Sequence, residues 1–275
     1  MPSSIRHERP PAVAGSFYEA DPRRLRAQVE ECLAQNQFPA TKESFVAGVV
    51  PHAGLMYSGH VAAAFYGAVQ IPRRLILLGP NHTGLGADVA INLEGSWRTP
   101  LGSVQIDSEI AQELARESHL FQEDQLAHAR EHSLEVQLPF LQLVAKEFTI
   151  VPVCIRRPRF EVCEEVGQAV ARVVGKHRDV GVLSSTDLNH YENQTVTLQK
   201  DQKAIDAMLS LEPRRLWDTV RDHGISMCGI LPTTATLVAT KQLGAASASL
   251  LRHATSGDIN GDYNAVVGYA SALIR

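Results

Sequence analysis

Three histidines follow short apolar runs, each separated from its run by a few turn-forming or polar residues. They are His52 in Val49-Val50-Pro51-His52, His82 in Leu78-Gly79-Pro80-Asn81-His82, and His190 in Ser184-Ser185-Thr186-Asp187-Leu188-Asn189-His190. Imidazole is both the commonest metal ligand and the side chain that carries protons near neutral pH. Three imidazoles in like positions, with Asp187 beside the last, predict one shared site for metal coordination or acid–base chemistry. Asp187 and His190 lie three apart, so a loop or helical turn would let both face one point.

Cys228, in Ser226-Met227-Cys228-Gly229, stands just ahead of a helical pattern that starts near Leu231. A helix amino terminus favours the thiolate that binds metals or attacks electrophiles. The other reading of the same residue is a small buried hydrophobe. The segment His128-Ala129-Arg130-Glu131-His132-Ser133-Leu134-Glu135 resembles, without matching, the zinc-binding HExxH helix. Glu131, His132 and Glu135 would share one face there and orient metal ligands rather than hold the metal. His7, His60, His119, His177, His223 and His253 have no such context and are read as structural.

The runs that must deliver these groups are rich in Val, Leu and Ile: Phe45 to Val50, Leu75 to Leu78 and Val180 to Leu183. Unbroken apolar runs of that length are expected of buried parallel strands. Ligands of open α/β sheets sit just outside the carboxyl ends of such strands. Further strands are predicted at Asp88–Asn92, Gly102–Ile106, Phe148–Ile155, Ala248–Ala254 and Val266–Ile274, with a Gly-Ser-Trp-Arg-Thr-Pro turn before Gly102. Asp21-Pro22 reads as a cap and first position of a helix to Gln35, and Asp107 as the cap of one to Glu117. Other helices are predicted over Ser58–Val69, Ser133–Ala145 (reset at Pro139), Glu161–Lys176, Leu198–Ser210, Pro213–Asp222 and Leu231–Leu243. Residues 1–20 read as irregular. Strand and helix alternate without repeats or linkers, which predicts a single α/β/α sandwich over residues 1–275 around a mixed, largely parallel sheet.

With 44% hydrophobic and 20% charged residues among 275, the chain has ample material for a core. Its net charge of −4 provides no basic field, which argues against a nucleic-acid partner. No apolar run approaches the roughly 18 residues needed to span a bilayer, and Met1–Ala20 lacks the apolar core of a signal peptide. A cytoplasmic location with no membrane contact is the expectation. Cys32, Cys154, Cys163 and Cys228 form no CxxC pair, so they are expected to be thiols.

Several motifs resemble the Memo family, whose prokaryotic members are called AmmeMemoRadiSam system protein B. They are Pro11-Ala12-Val13-Ala14-Gly15-Ser16-Phe17-Tyr18, Pro51-His52-Ala53-Gly54-x-x-Tyr57-Ser58-Gly59, Gly79-Pro80-Asn81-His82 and Glu131-His132-Ser133-x-Glu135-x-Gln137-Leu138-Pro139-Phe140. Ser184-Ser185-x-Asp187-x-x-His190, Cys228-Gly229, Thr255-Ser256-Gly257-Asp258-x-x-Gly261-Asp262 and Val266-Val267-Gly268-Tyr269 complete the series. The resemblance implies a fold similar to the LigB-type class III extradiol dioxygenases, non-haem iron enzymes with two histidines and a glutamate on Fe(II). Carried over, His52 and His82 match the histidine ligands, Cys228 stands in place of the glutamate, and His190 matches the acid–base histidine with Asp187 beside it. Glu131, His132, Glu135 and Tyr57 fall around the ligands. A thiolate in place of a carboxylate softens the site towards copper, zinc or redox iron. Phe17 stands where vertebrate members carry Trp, a departure from the members that bind phosphotyrosine peptides.

The resulting expectation is a dioxygenase-like oxidoreductase that binds one metal ion, iron or copper, with zinc as the alternative. Two other readings stay open. One is a non-catalytic protein that grips a small molecule or peptide and works with radical-SAM and AMMECR-type partners, as the family name implies. The other is a zinc-type hydrolase, for which two histidines, a cysteine and water are a sufficient ligand set.

Overall fold

A computed structural model describes residues 7–275; residues 1–6 of the stretch expected to be irregular lie outside it. The strands, in chain order, are β1 (Glu8–Arg9), β2 (Ala47–Val50), β3 (Arg74–Pro80), β4 (Val89–Ile91), β5 (Ser96–Thr99), β6 (Gly102–Gln105), β7 (Gln122–Glu123), β8 (Thr149–Ile155), β9 (Val180–Ser185), β10 (His190–Glu192), β11 (Ala248–Thr255) and β12 (Val266–Ile274). The helices are α1 (Pro22–Ala34), α2 (Leu55–Ala68), α3 (Ser108–Glu117), α4 (Leu126–Ala129), α5 (Leu138–Val144), α6 (Phe160–Val174), α7 (Gln194–Leu209), α8 (Pro213–Asp222), α9 (Ile230–Gln242) and α10 (Gly257–Asn260).

The main sheet runs β10-β12-β2-β9-β3-β8-β4-β7, with β11 added against β12. Its centre, β2-β9-β3-β8, is parallel and almost wholly buried, as the unbroken Val/Leu/Ile runs require. The flanking β12 and β10 are antiparallel. Helix α9 packs over β3 and β9 with α6 against it, while α2 packs against β2, β11 and β12 with α1 against it. The α/β sandwich expected from the sequence is therefore present.

Local chemistry explains where the elements begin. The Asp21 carboxylate accepts from the amides of Arg23 and Arg24 with Pro22 at the first turn, and Asp107 caps α3 through Ile110. In β2 a glycine is required: a Cβ on Gly48 would meet the Phe65 ring of α2 at 2.3 Å.

Some expectations change. The Gly-Ser-Trp-Arg-Thr-Pro stretch is not a turn, because Ser96–Thr99 forms a strand paired with β6 and, in parallel, with β1. The predicted helix over Ser133–Ala145 is a 3₁₀ turn at Glu135–Gln137 followed by α5, with Pro139 in its first turn. His190 opens strand β10 rather than sitting in the loop with Asp187.

Candidate metal centre

Parallel pairing of β2, β9 and β3 puts three carboxyl ends side by side, with Val50 opposite Ser185 and Leu78 opposite Ser184. The chain leaving β2 carries His52, that leaving β9 carries Asp187, and that leaving β3 carries His82. They open onto a cavity of about 660 Å³. Its lining includes His52, His82, His132, Asp187, His190, Cys228 and Tyr57, and no lysine or arginine among the described residues. A smaller cavity of about 250 Å³, between Arg9, Trp97 and His128, contains none of the predicted site residues.

His52, His82 and His132 each offer a ring nitrogen, and these nitrogens all lie within 4.8 Å of one another. His82 and His132 stack with centroids 4.7 Å apart, and His52 meets both edge-on. His132, expected to orient the ligands, thus stands in contact with the two histidines expected to hold the metal. No regular helix carries Glu131 to Glu135. The backbone folds over the Glu131 carboxylate, which accepts from the amides of His132 and Ser133 at 2.9 Å, and the His132 ring is left to face the histidines.

Glu131 stands directly behind His82. Its Oε1 accepts from Nδ1 of His82 at 2.9 Å, and its Oε2 accepts from the His82 amide. With Nδ1 protonated, the lone pair of His82 is at Nε2. Burial opposes ionisation of Glu131, but its bonds from His82 and Ser133 and the nearby His132 hold its pKa down at about 2.

Glu135 does not belong to this cluster. It accepts from Arg9 at 2.6 Å, from Tyr18 at 2.6 Å and from the amides of Ala12 and Val13. It therefore anchors the amino-terminal segment, which places Phe17 against His132 with ring centroids 4.6 Å apart. The pull of Arg9, also bonded to the carbonyls of His128 and Glu131, takes Glu135 away from the three histidines.

Cys228 Sγ lies 3.3 Å from Nε2 of His52 and accepts from the Asp187 amide at 3.2 Å. Gly229, not Cys228, caps α9. Burial, reinforced by the Asp187 carboxylate, pushes the thiol well above its ordinary range. A bound cation would supply the opposing charge that burial withholds.

Asp187 serves a different neighbour from the one expected. Its Oδ1 accepts from the His52 amide at 2.7 Å, and no hydrogen bond joins it to His190 among the described residues. Burial pushes its pKa up to about 7, against the opposing pull of the His52 and Ala53 amides. His190 is held instead by its own amide, which donates to Ser226 Oγ at 2.7 Å, while its Nδ1 is buried without a hydrogen-bond partner among the described residues. Burial lowers its pKa.

Several cavity residues carried no chemical role in the sequence reading: Phe17, Met56, Tyr191 and Tyr269. Tyr191 is notable because its backbone is left-handed, at φ 60°, directly after His190. The buried polar residues behind His52, namely Ser185, Gln137 and Tyr66, also had no assigned role. The first two lie inside motifs quoted above, which was the available signal.

The chain resembles known proteins over nearly its whole length. Residues 9–273 match the family model described as Memo-like protein. A MEMO1 family protein of Methanopyrus kandleri is 46% identical, over 98% of this chain and 99% of the relative. Another from Methanothermobacter thermautotrophicus is 43% identical, over 95% of this chain and 98% of its own. Among solved structures, an uncharacterised protein of Escherichia coli K12 superposes with a TM-score of 0.57 at 11% identity, covering 82% of this chain and 98% of that one. The last likeness concerns the fold alone.

Proposed function

Because the chain belongs to the Memo-like family, we propose that it is a metal-dependent oxidoreductase acting on a small organic substrate. One redox-active ion, iron or copper, would be held by His52, His82 and His132, with Cys228 as the thiol donor beside His52. The observation that supports this most is the triangle of ring nitrogens within 4.8 Å at the floor of a cavity. The donors suit such an ion: imidazole accommodates iron and copper, and a thiolate adds softness. The orphaned Nδ1 of His190 adds a polar group that the protein itself leaves without a partner.

When bound, the ion would supply an electron-transfer couple and an electrophilic centre. The protein's part is to orient and to move protons. Glu131 keeps the proton of His82 on Nδ1, away from the cavity. His190, set by Ser226, is the group that exchanges a proton with substrate. Asp187 holds the His52 backbone and, with its raised pKa, can release or take a proton near neutrality. Phe17, Tyr57 and Tyr269 wall the cavity with rings that exclude water from the reacting groups.

Elemental analysis of protein purified without oxygen tests this reading, with His82→Ala, His132→Ala and Cys228→Ser alongside. Near-stoichiometric iron or copper in the wild type, lost in both histidine variants, is expected. Zinc that shows no redox response would instead favour hydrolysis. Full metal content in both histidine variants would remove the site from this cluster.

A further inference from the structure

We propose that Tyr66, Gln137 and Ser185 form a buried relay that fixes the tautomer of His52, keeping the proton on Nδ1 and the Nε2 lone pair turned to the cavity. Its value to the protein rests on the metal-site reading above, but its geometry does not.

The argument starts from atoms that can only accept. The Pro51 carbonyl lies 2.9 Å from Nε2 of Gln137, and a carbonyl at that distance requires the amide NH₂ rather than its oxygen. That orientation leaves Oε1 of Gln137 to accept from the Tyr66 hydroxyl at 2.9 Å. The two protons of the Gln137 NH₂ go to its nearer acceptors, the Pro51 carbonyl and Ser185 Oγ at 3.0 Å, ahead of the Ser133 carbonyl at 3.3 Å. The Ser185 hydroxyl has a single proton, and its closest acceptor is the Ser133 carbonyl, 2.7 Å away. Ser185 Oγ therefore has only acceptor capacity left for its remaining neighbour, Nδ1 of His52 at 2.8 Å. In this assignment Nδ1 carries the proton. The opposite tautomer would set a bare Nδ1 against a serine lone pair, with no hydrogen between two buried acceptors.

Burial makes the logic binding. Tyr66, Gln137, Ser185 and His52 are each no more than 1% exposed, so bulk water does not compete for these bonds. Gln137 has a double hold, since the carbonyl it binds belongs to Pro51, the residue before His52. One side chain thus steadies both the peptide that delivers His52 and the hydroxyl that orients its ring. At the other end of the ring, the bare Nε2 faces Cys228 Sγ at 3.3 Å, where a neutral thiol can donate to it until a cation replaces that proton. His82 reaches the same ring form through a carboxylate, His52 through an uncharged chain. Tyr66, Gln137 and Ser185 are positioning residues in this scheme.

The test is long-range proton–nitrogen NMR on the whole, metal-free ¹⁵N-labelled protein, with the His52 ring signals assigned by their loss in His52→Gln. The expected wild-type spectrum shows His52 neutral, protonated at Nδ1 and bare at Nε2. Ser185→Ala should move His52 towards the Nε2–H form and weaken Co²⁺ binding by about 10- to 100-fold, the usual cost of removing the partner of a ligating histidine. Ser185→Thr, which keeps the hydroxyl, should restore both. Tyr66→Phe, a milder change for folding, should give a mixture of the two ring forms. A wild-type His52 protonated at Nε2, or a Ser185→Ala protein still wholly in the Nδ1–H form, would overturn the relay. If the spectra follow expectation while Co²⁺ binds no variant, wild type included, the relay stands and the metal reading fails.

Discussion

Glu131 grips His82 twice: its carboxylate accepts from Nδ1 at 2.9 Å on one oxygen and from the same residue's amide on the other. The carboxylate has no solvent exposure, and the two adjoining amides of His132 and Ser133 complete its shell. One side chain therefore sets the ring form of one imidazole and the backbone path that turns a second towards it. Replacing Glu131 with Gln should weaken metal binding by about 10- to 100-fold while leaving the far-ultraviolet circular dichroism unchanged. Titration with Co²⁺ against a competing chelator measures it, and wild-type affinity would mean that Glu131 does not orient a ligand.

The Arg9–Glu135 pair is a second buried contact, with both side chains at 4% exposure or less. Breaking such a pair on one side leaves an uncompensated charge, at a cost of about 3–5 kcal/mol. Arg9→Ala should accordingly lower the melting temperature by roughly 10 °C in a chain of this size. The exposed Arg24–Glu19 pair offers the control, since its loss should change almost nothing. Differential scanning calorimetry separates the two, and equal shifts would contradict the assignment of Glu135 as an anchor.

Gly268 stands where no other residue fits. An added Cβ would meet Asp201 Oδ2 at 1.9 Å. Asp201 in turn accepts from the Asn189 amide at 2.9 Å and binds His253 at 2.8 Å, which supports the structural reading of His253. Gly268→Ala should destabilise the protein by about 1–3 kcal/mol, the range for overpacking. It should also speed amide exchange at Asn189 and His190, because the residue displaced is the one that holds that loop. Unchanged protection there, measured by hydrogen exchange, would show that the loop is fixed by something else.

His128 predicts a particular acid sensitivity. Burial, helped by the Arg9 charge, lowers its pKa to about 4 from an ordinary value near 6.5. Between those values the unfolded chain binds the proton and the folded one does not, so stability falls as pH drops from about 6.5 to about 4 and the loss is complete below that. At pH 5 the contribution is about 2 kcal/mol. His128→Asn should therefore lose less stability than wild type between pH 7 and pH 5 in urea titrations. Parallel losses in the two proteins would rule this out.

Much of the fold was readable locally. The unbroken runs ending at Val50, Leu78 and Leu183 are central strands, and Asp21 and Asp107 cap helices as their side chains dictate. Those signals depend on a residue and its near neighbours, through periodicity and hydrogen bonding within a few positions. The turn misread at Ser96–Thr99 was different, because that strand exists by pairing with Glu8–Arg9 and with β6, and the first of these partners is far off in the chain.

The same division runs through the site. The sequence alone pointed to histidines at strand ends and to His52 and His82 as paired candidates, and the family resemblance added Cys228. Tertiary structure decided which groups actually meet. The order β2-β9-β3 sets Asp187 between the two histidine strands, where its carboxylate takes the His52 amide instead of His190. The fold of the backbone over Glu131 sends His132 into the cluster, and Arg9 draws Glu135 out of it. Spacing along a chain records which side chains can share an element; it does not record which buried charge, more than a hundred residues away, will claim them.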